Sequence, residues 1–469
     1  MRRLFQASRL LNGQGDVGGA RRRPANPVHR VDSPIGRRPS HDAAMTGALS
    51  VAGLCMLLGT GYVAQTHRFL DWNLLVALVM LSGLITIVAT TIAAKVPAGV
   101  GLVIVMSFAV ALRIAALGQP PIFSTDIYRY IWDGRVQGAG INPYRYVPID
   151  QALADLRDAA IFPNIDRAGD AHTLYPPVAQ FFFAAVARIG ESTVCMRLAL
   201  IGCEIVTLAI LVDLLRRLHK PPALAVAYAW HPLAIWDIAN NGHVEALMVA
   251  LSMSGIWLLV RHRRTAAGIA MALATLVKPY AAVALAACWR PWDWRLPAIV
   301  IGAVVACYLP YLGAGQGVFG FLPVYLTEEG FWDGQGLWLA LVARTIFGNF
   351  PGLVPLYLAL AVAISGFFAL RAAFRPVRSA EAIVGDVASL FLCALFFLSP
   401  NHPWYYLVLV PLIPIGGGAP AWVLTIGGLA LYLDYDDSDM IDLVWKGALN
   451  VAFLIAVLAS RLRPASRLR

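Results

Sequence analysis

The sequence predicts an all-α polytopic membrane protein with about 13 transmembrane helices and a large outer loop carrying interfacial amphipathic helices. Three observations predict it. Hydrophobic residues make up 59% of the 469 positions and charged residues only 14%, where a soluble domain carries about 25% charge. Apolar runs close to the roughly 20 residues that cross a hydrocarbon core recur along the chain. Lys and Arg gather in the connections on one side of those runs, as cytoplasmic loops do.

The first 45 residues precede any apolar run and hold nine arginines: Arg2, Arg3, Arg9, Arg21, Arg22, Arg23, Arg30, Arg37 and Arg38. With its Gly, Pro and Ser content the segment reads as a disordered basic cytoplasmic tail. No aromatics interleave with the arginines, so nucleic acid is not an expected partner. The charge suits inside orientation and contact with anionic membrane lipid. The first long apolar run starts near Met45, too late for a cleavable signal peptide.

Spans are expected at about 46–65, 71–94 and 98–117, and then at 194–215, 222–239, 244–260, 296–313, 352–371, 383–399, 403–416, 419–433 and 441–459. Lys278-Pro279 breaks 265–289 into two short legs or one kinked helix. A basic tail closes the chain over 460–469, so 46–459 is the expected membrane domain. With the N-terminal tail inside, one orientation puts five basic clusters inside: Arg216 to Lys220, Arg261 to Arg264, Arg290 with Arg295, Arg371 to Arg378, and Arg461 to Arg469. It puts 118–193, 240–243, 314–335, 400–402 and 434–440 outside. The run Tyr175 to Arg188 is only 14 residues, short for a span, and reads as an amphipathic helix in the outer interface. Cys55, Cys195, Cys203, Cys288, Cys307 and Cys393 sit in or beside apolar runs without paired spacing, as packing residues rather than a disulfide framework or zinc site.

The outer loop 118–193 opens with Ser124-Thr-Asp-Ile-Tyr-Arg-Tyr-Ile-Trp-Asp-Gly-Arg-Val-Gln137. Carboxylates and guanidinium groups beside a bilayer cost free energy and call for a role. Asp126, Arg129, Tyr130 and Asp133 fall at i, i+3, i+4 and i+7, on one face of a helix that Thr125 or Ser124 could cap. A carboxylate at the lip of a membrane cavity can take a proton from a hydroxyl nucleophile, and either Asp126 or Asp133 could do so. Arg129 and Arg135 can hold a phosphate oxygen. Tyr128, Tyr130, Trp132, Tyr144 and Tyr146 suit stacking on a sugar, although a membrane belt uses the same residues, and an Arg129–Asp133 ion pair on an interfacial helix explains the same pattern. Asn142-Pro-Tyr144 reads as a turn whose amide could also bond a substrate.

Asn240-Asn-Gly-His243-Val-Glu245 follows a span on the outer side, where His243 and Glu245 could relay a proton, hold a sugar hydroxyl or bind a metal. One such pair gives too few ligands for a metal site, and a divalent ion stays an open alternative. Lys278 in its apolar stretch needs a cavity or a partner, and a lipid-linked phosphate is a natural one. His402 and Trp404, in Asn401-His-Pro-Trp-Tyr-Tyr406, begin another span. His231, between Trp230 and Pro232, reads as a satisfied buried histidine. The acidic sets Glu328, Glu329, Asp333 and Asp434 to Asp439 read as solvated loops.

Taken in order, these motifs resemble the GT-C superfamily of polyprenol-phosphate-sugar-dependent glycosyltransferases, closest to bacterial mannosyltransferase-type members. The likeness runs over about 120–410 and rests on the aspartate motif at 126–136, the Asn142-Pro-Tyr144 turn, Tyr175-Pro-Pro177, Gly242-His-Val-Glu245 and Pro403-Trp-Tyr405. The resemblance implies a multi-pass enzyme of the bacterial plasma membrane with its site outside the cytoplasm. It would transfer a hexose, mannose above all, from a polyprenyl-phosphate donor to a glycan or glycolipid acceptor. It implies inversion, with the base at Asp126 and Asp133 as second candidate. Arg129, Arg135 and Lys278 would meet the phosphate, and Tyr128, Tyr130, Asn142, Tyr175, His243, Glu245, His402 and Trp404 would line the donor site. A transporter or lipid flippase is the rival reading; such folds show repeated halves and charge near mid-membrane, and no internal repeat is visible here.

Overall fold

The computed structural model describes residues 39–462, apart from Asn349, Val377 and residues 434–438. The basic tail up to residue 38, the acidic set at 434–438 and the end of the C-terminal tail lie outside the described residues. The chain from Ser40 onward forms one compact unit, helical and without strands among the described residues.

The opening helices match the apolar runs. α1 spans Pro39–Thr66, α2 Trp72–Ala93 and α3 Ala98–Leu117. α1 starts ahead of the expected residue 46, because Pro39 suits a first turn and Asp42 lies at its electropositive end. The Asp71 carboxylate caps α2, accepting from the Leu74 amide at 3.1 Å. α4 (Asp126–Gly138) and α5 (Pro177–Ala187) follow, then α6 (Thr193–Arg217), capped by Ser192. Large apolar side chains such as Leu58, Val103, Ile114, Val362 and Leu458 are exposed. In water, that surface would cost about 25 cal/mol per Å²; against lipid tails it costs nothing, so these helices belong in a bilayer.

Nine helices are long and apolar enough to cross a membrane, or ten if one bent pair counts as a span, among the described residues. The expected run 222–239 is not a regular helix. It resolves into a 3-10 turn at Pro222–Ala225, one α-turn at Val226–Ala229 and a π-helical stretch at Ala234–Asn240. Pro221, Pro222 and Pro232 break it, and Val226 to Asn240 is buried inside the protein, the setting in which irregular backbone is tolerated at membrane depth. The helix Glu245–Val260 then turns away by 119°. The 265–289 run forms short legs at Arg264–Thr275 and Pro279–Cys288, as the Lys278-Pro279 break implied. The runs expected at 403–416 and 419–433 make one 30-residue candidate span, Pro403–Tyr432, of 3-10, π and α pieces. In its most apolar 18-residue stretch 72% of the residues are buried, whereas in that of Leu353–Phe374 only 11% are, and that helix faces outward. All six cysteines are free.

Candidate active site

The segment before α4 is bolted to the turn that carries His243. The amides of Ile122 and Phe123 donate to the Asn241 side chain at 3.1 and 2.9 Å, and Ile122 also donates to Asn240 Oδ1 at 3.0 Å. Gly242 has φ +76°, and a Cβ there would run into Ile127 and Arg197; the turn needs glycine to bring His243 against α4. Gly134 does the same for α4 and α5, since a Cβ would lie 2.5 Å from the Phe183 carbonyl.

Asp126 opens α4, with the Asp126 amide donating to Ser124 Oγ at 3.2 Å. Thr125 sits at the cap position without a side-chain bond. The Asp126 side chain is 34% exposed. Its Oδ2 accepts from Tyr175 OH at 3.3 Å and, weakly, from Tyr130 OH at 3.5 Å. Burial, and then the Asp126 charge, push both phenols well above the ordinary tyrosine range, so both stay protonated as donors.

Asp126, Arg129, Tyr175, Lys278, His402 and Trp404 line one cavity of about 360 Å³, large enough for a sugar-sized ligand. They come from sequence segments up to 278 positions apart, between 126 and 404. Lys278 Nζ is 2.8 Å from Glu245 Oε1 and lies 5.3 and 5.5 Å from the Tyr175 and Tyr405 ring centres. Behind the wall, His243 is fully buried. Its Nδ1 is 3.7 Å from Asp126 Oδ2, and its ring stacks on Trp404 at 4.1 Å. Trp404 stacks on His402 with its other face, at 4.3 Å.

The remaining expected site residues have other employment. Asp133 is buried and accepts from Arg129 Nε at 2.9 Å, Thr173 Oγ1 at 2.5 Å and Gln180 Nε2 at 2.9 Å. It does not line the cavity. Arg129 borders the cavity, but its guanidinium also donates to the Ala171 carbonyl at 2.9 Å. Arg135 binds Asp158 and Glu191, each at 2.7 Å, and the Leu156 carbonyl. Burial works against its charge, but the two carboxylates outweigh that and raise its pKa; in return Arg135 holds Asp158 down at about 2. Asn142 builds its turn, accepting from the Tyr144 amide at 3.1 Å and donating to the Tyr311 carbonyl at 3.0 Å. Tyr128 is half-buried outside the lining, and Tyr130 lies buried beneath Asp126.

One expectation changes and one stands. Glu328 and Glu329 are not a freely solvated pair: both line the cavity. Glu328 pairs with Arg167, and Glu329 lies 3.7 Å from His402 and accepts from Asn401. Burial opposes the charge of Glu329, but His402, Tyr325 and Asn401 hold its carboxyl below the ordinary value. His231 is the satisfied buried histidine expected, with Nε2 3.1 Å from Thr425 Oγ1. Sequence reasoning passed over Asp237, which is fully buried 4.0 Å from His243 Nε2. A lone carboxylate in an apolar run was the signal available. Among the described residues, no three histidine, cysteine or carboxylate side chains are grouped to hold a metal ion.

Residues 114–292 match the family model described as the alpha-(1->6)-mannopyranosyltransferase N-terminal domain. The chain is similar to GT-C-type bacterial mannosyltransferases. That stretch contains α4, α5, the His243 turn and Lys278. Alpha-(1->6)-mannopyranosyltransferase A of Mycobacterium tuberculosis is 32% identical over 182 residues, 37% of this chain and 34% of the relative. A protein of Mycolicibacterium smegmatis named as a probable alpha-(1->6)-mannopyranosyltransferase is 28% identical over 211 residues, 43% of this chain and 34% of the relative. The matches thus span about a third of the length of these curated relatives. No solved structure matches the chain.

Proposed function

We propose that this chain is an inverting mannosyltransferase of the bacterial plasma membrane, taking mannose from a polyprenyl-phosphate donor. The acceptor is a glycan or glycolipid, and the linkage names of the relatives point to a primary 6-hydroxyl on it. The charge pattern of the loops supports a cytoplasmic N-terminus and an extracytoplasmic cavity.

The observation that carries the reading is the pairing, in one cavity, of a half-exposed carboxylate with a buried cation. Asp126 Oδ2 is held by tyrosine hydroxyls, which leaves Oδ1 for the acceptor. Oδ1 takes the hydroxyl proton as the acceptor oxygen attacks the anomeric carbon. The bond from that carbon to the phosphate oxygen breaks, and the polyprenyl phosphate leaves with the electron pair. Attack from the face opposite the departing phosphate turns a β-linked donor into an α-linked product. Lys278 has three N–H donors, one spent on Glu245, so two remain for the leaving phosphate. Arg135 has its donors engaged elsewhere, so Lys278 is the residue for that task. General-base assistance is worth about 10²–10⁴ in rate; a preorganised donor at developing charge is worth about 10²–10³.

The test is transfer of radiolabelled mannose from polyprenyl-phosphate-mannose in membranes, with wild type and Asp126→Asn at matched expression. Transfer by wild type and none by Asp126→Asn supports the reading. Equal transfer by both removes Asp126 as base. Transfer by neither rejects this donor and favours a transporter.

A further inference from the structure

His243 has an employment that neither sugar binding nor metal binding describes. Both ring nitrogens are buried and neither has a hydrogen bond at resting distances, and the same holds for Asp237 Oδ2. Buried polar atoms in a native fold ordinarily find partners, and exceptions gather where function needs them. The groups that would serve are already in place. Nδ1 lies 3.7 Å from Asp126 Oδ2 and 3.9 Å from Glu245 Oε2, and Nε2 lies 4.0 Å from Asp237 Oδ1. Lys278 neutralises Glu245 at 2.8 Å, and His402 lies across the Trp404 ring.

Asp237 is fixed with unusual care for a carboxylate within a buried π-helical stretch. Its Oδ1 accepts from Asn241 Nδ2 at 3.0 Å and from Tyr432 OH. Its main-chain carbonyl accepts the His243 amide at 2.7 Å. The ring plane of His243 is set by the stack on Trp404. So the imidazole is held by its face and by its backbone, with one nitrogen towards each aspartate.

We propose that His243 is a positioning residue for Asp126, steadied in turn by Asp237. The proton of the neutral ring sits on Nδ1 and points to Asp126 Oδ2; Nε2 faces Asp237, whose main-chain carbonyl holds the His243 amide. Catalytic contacts that are long in the resting enzyme tighten when substrate fills the site. As they tighten, Oδ2 gains His243 as a donor beside Tyr175 and Tyr130, and Oδ1 is aimed at the acceptor hydroxyl. The carboxylate of Asp126 then cannot rotate away from the attacking oxygen. This inference rests on Asp126 acting as the base.

Two substitutions separate a donor role from a packing role. His243→Phe keeps a flat ring on Trp404 and has no N–H. His243→Asn loses the ring but sets an amide N–H near the position of Nδ1. With the full chain in lipid nanodiscs, His243→Phe should lower kcat about 100-fold, the scale of a misaimed catalytic group, with the donor KM little changed. His243→Asn should recover most of that loss, and Asp237→Asn should show a smaller loss in kcat alone. The reverse order, Phe active and Asn inactive, would overturn the inference in favour of packing. A second readout does not depend on transfer. In ¹⁵N spectra of histidine-labelled protein, with His243 assigned by difference against His243→Asn, Nδ1 should carry the proton. Asp126→Asn should move the Nδ1 signal, and Asp237→Asn the Nε2 signal. A proton on Nε2, with neither substitution felt, would overturn the inference even where transfer is normal. If wild type transfers nothing, the mannosyltransferase reading fails, while the spectra still decide how the ring is held.

Discussion

Asp126 and Asp133 lie two turns apart on the same face of α4, and their surroundings differ in every respect that matters to a base. Asp126 is 34% exposed at the cavity, with one oxygen held and the other without a bonded partner. Asp133 is buried, and its two oxygens are met by Arg129, Thr173 and Gln180. A carboxylate can take a proton from a substrate only if substrate reaches it and a lone pair is left. Asp133 has instead become the knot that ties α4 to α5 and to the loop before Tyr175. Identical side chains at helical spacing are thus given different surroundings by what lies across from them, and the proposed base is the one that a substrate can reach.

The comparison can be broken most severely at its first member. Asp126→Ala should reduce mannose transfer by about 10²–10⁴ with an unchanged melting midpoint in detergent; retained transfer would dissolve the distinction. Asp133→Ala should do the opposite. It leaves Arg129 as a buried charge without its carboxylate, a loss of about 3–5 kcal/mol. That would show as a lower thermal midpoint, with the fraction that stays folded keeping its turnover.

Lys278→Gln sharpens the comparison on the cationic side. It should cost about 10²-fold in kcat, whereas Arg135→Gln should leave kcat alone. The smallest effect concerns Asp158. Its folded pKa is about 2, against about 3.9 unfolded. A depressed carboxylate stabilises the fold above the unfolded value, and the contribution disappears as pH falls from about 4 towards 2. Hydrogen exchange in the 146–172 loop should therefore speed up over that window in wild type, and Arg135→Gln should exchange fast throughout. Asp158 is partly solvated, so the effect is local.

Much of this fold is legible in the sequence where the environment is lipid. α2, α3 and α6 begin and end where hydropathy and cap residues say, because a bilayer rewards length and apolarity alone. The run 222–240 defeats the same reasoning. Its apolar residues face protein rather than lipid, and hydropathy is blind to that difference; Pro221, Pro222 and Pro232 were the better guides. At the site, Asp126, Lys278 and His243 stood out as polar groups in apolar surroundings. Arg135 and Asn142 stood out equally, but their donors are taken by Asp158, Glu191 and Tyr311, partners that no local pattern reveals. Asp237 was hidden for the opposite reason, as a single carboxylate between a tryptophan and an isoleucine with nothing nearby to pair it to.

One experiment sets the two aspartates directly against each other: mannose transfer per folded molecule, together with the thermal midpoint, for Asp126→Asn and Asp133→Asn in the same membrane preparation. A base at Asp126 and a structural knot at Asp133 give a crossed result, with Asp126→Asn stable and inactive and Asp133→Asn less stable and active. A stable, inactive Asp133→Asn beside an active Asp126→Asn would contradict it.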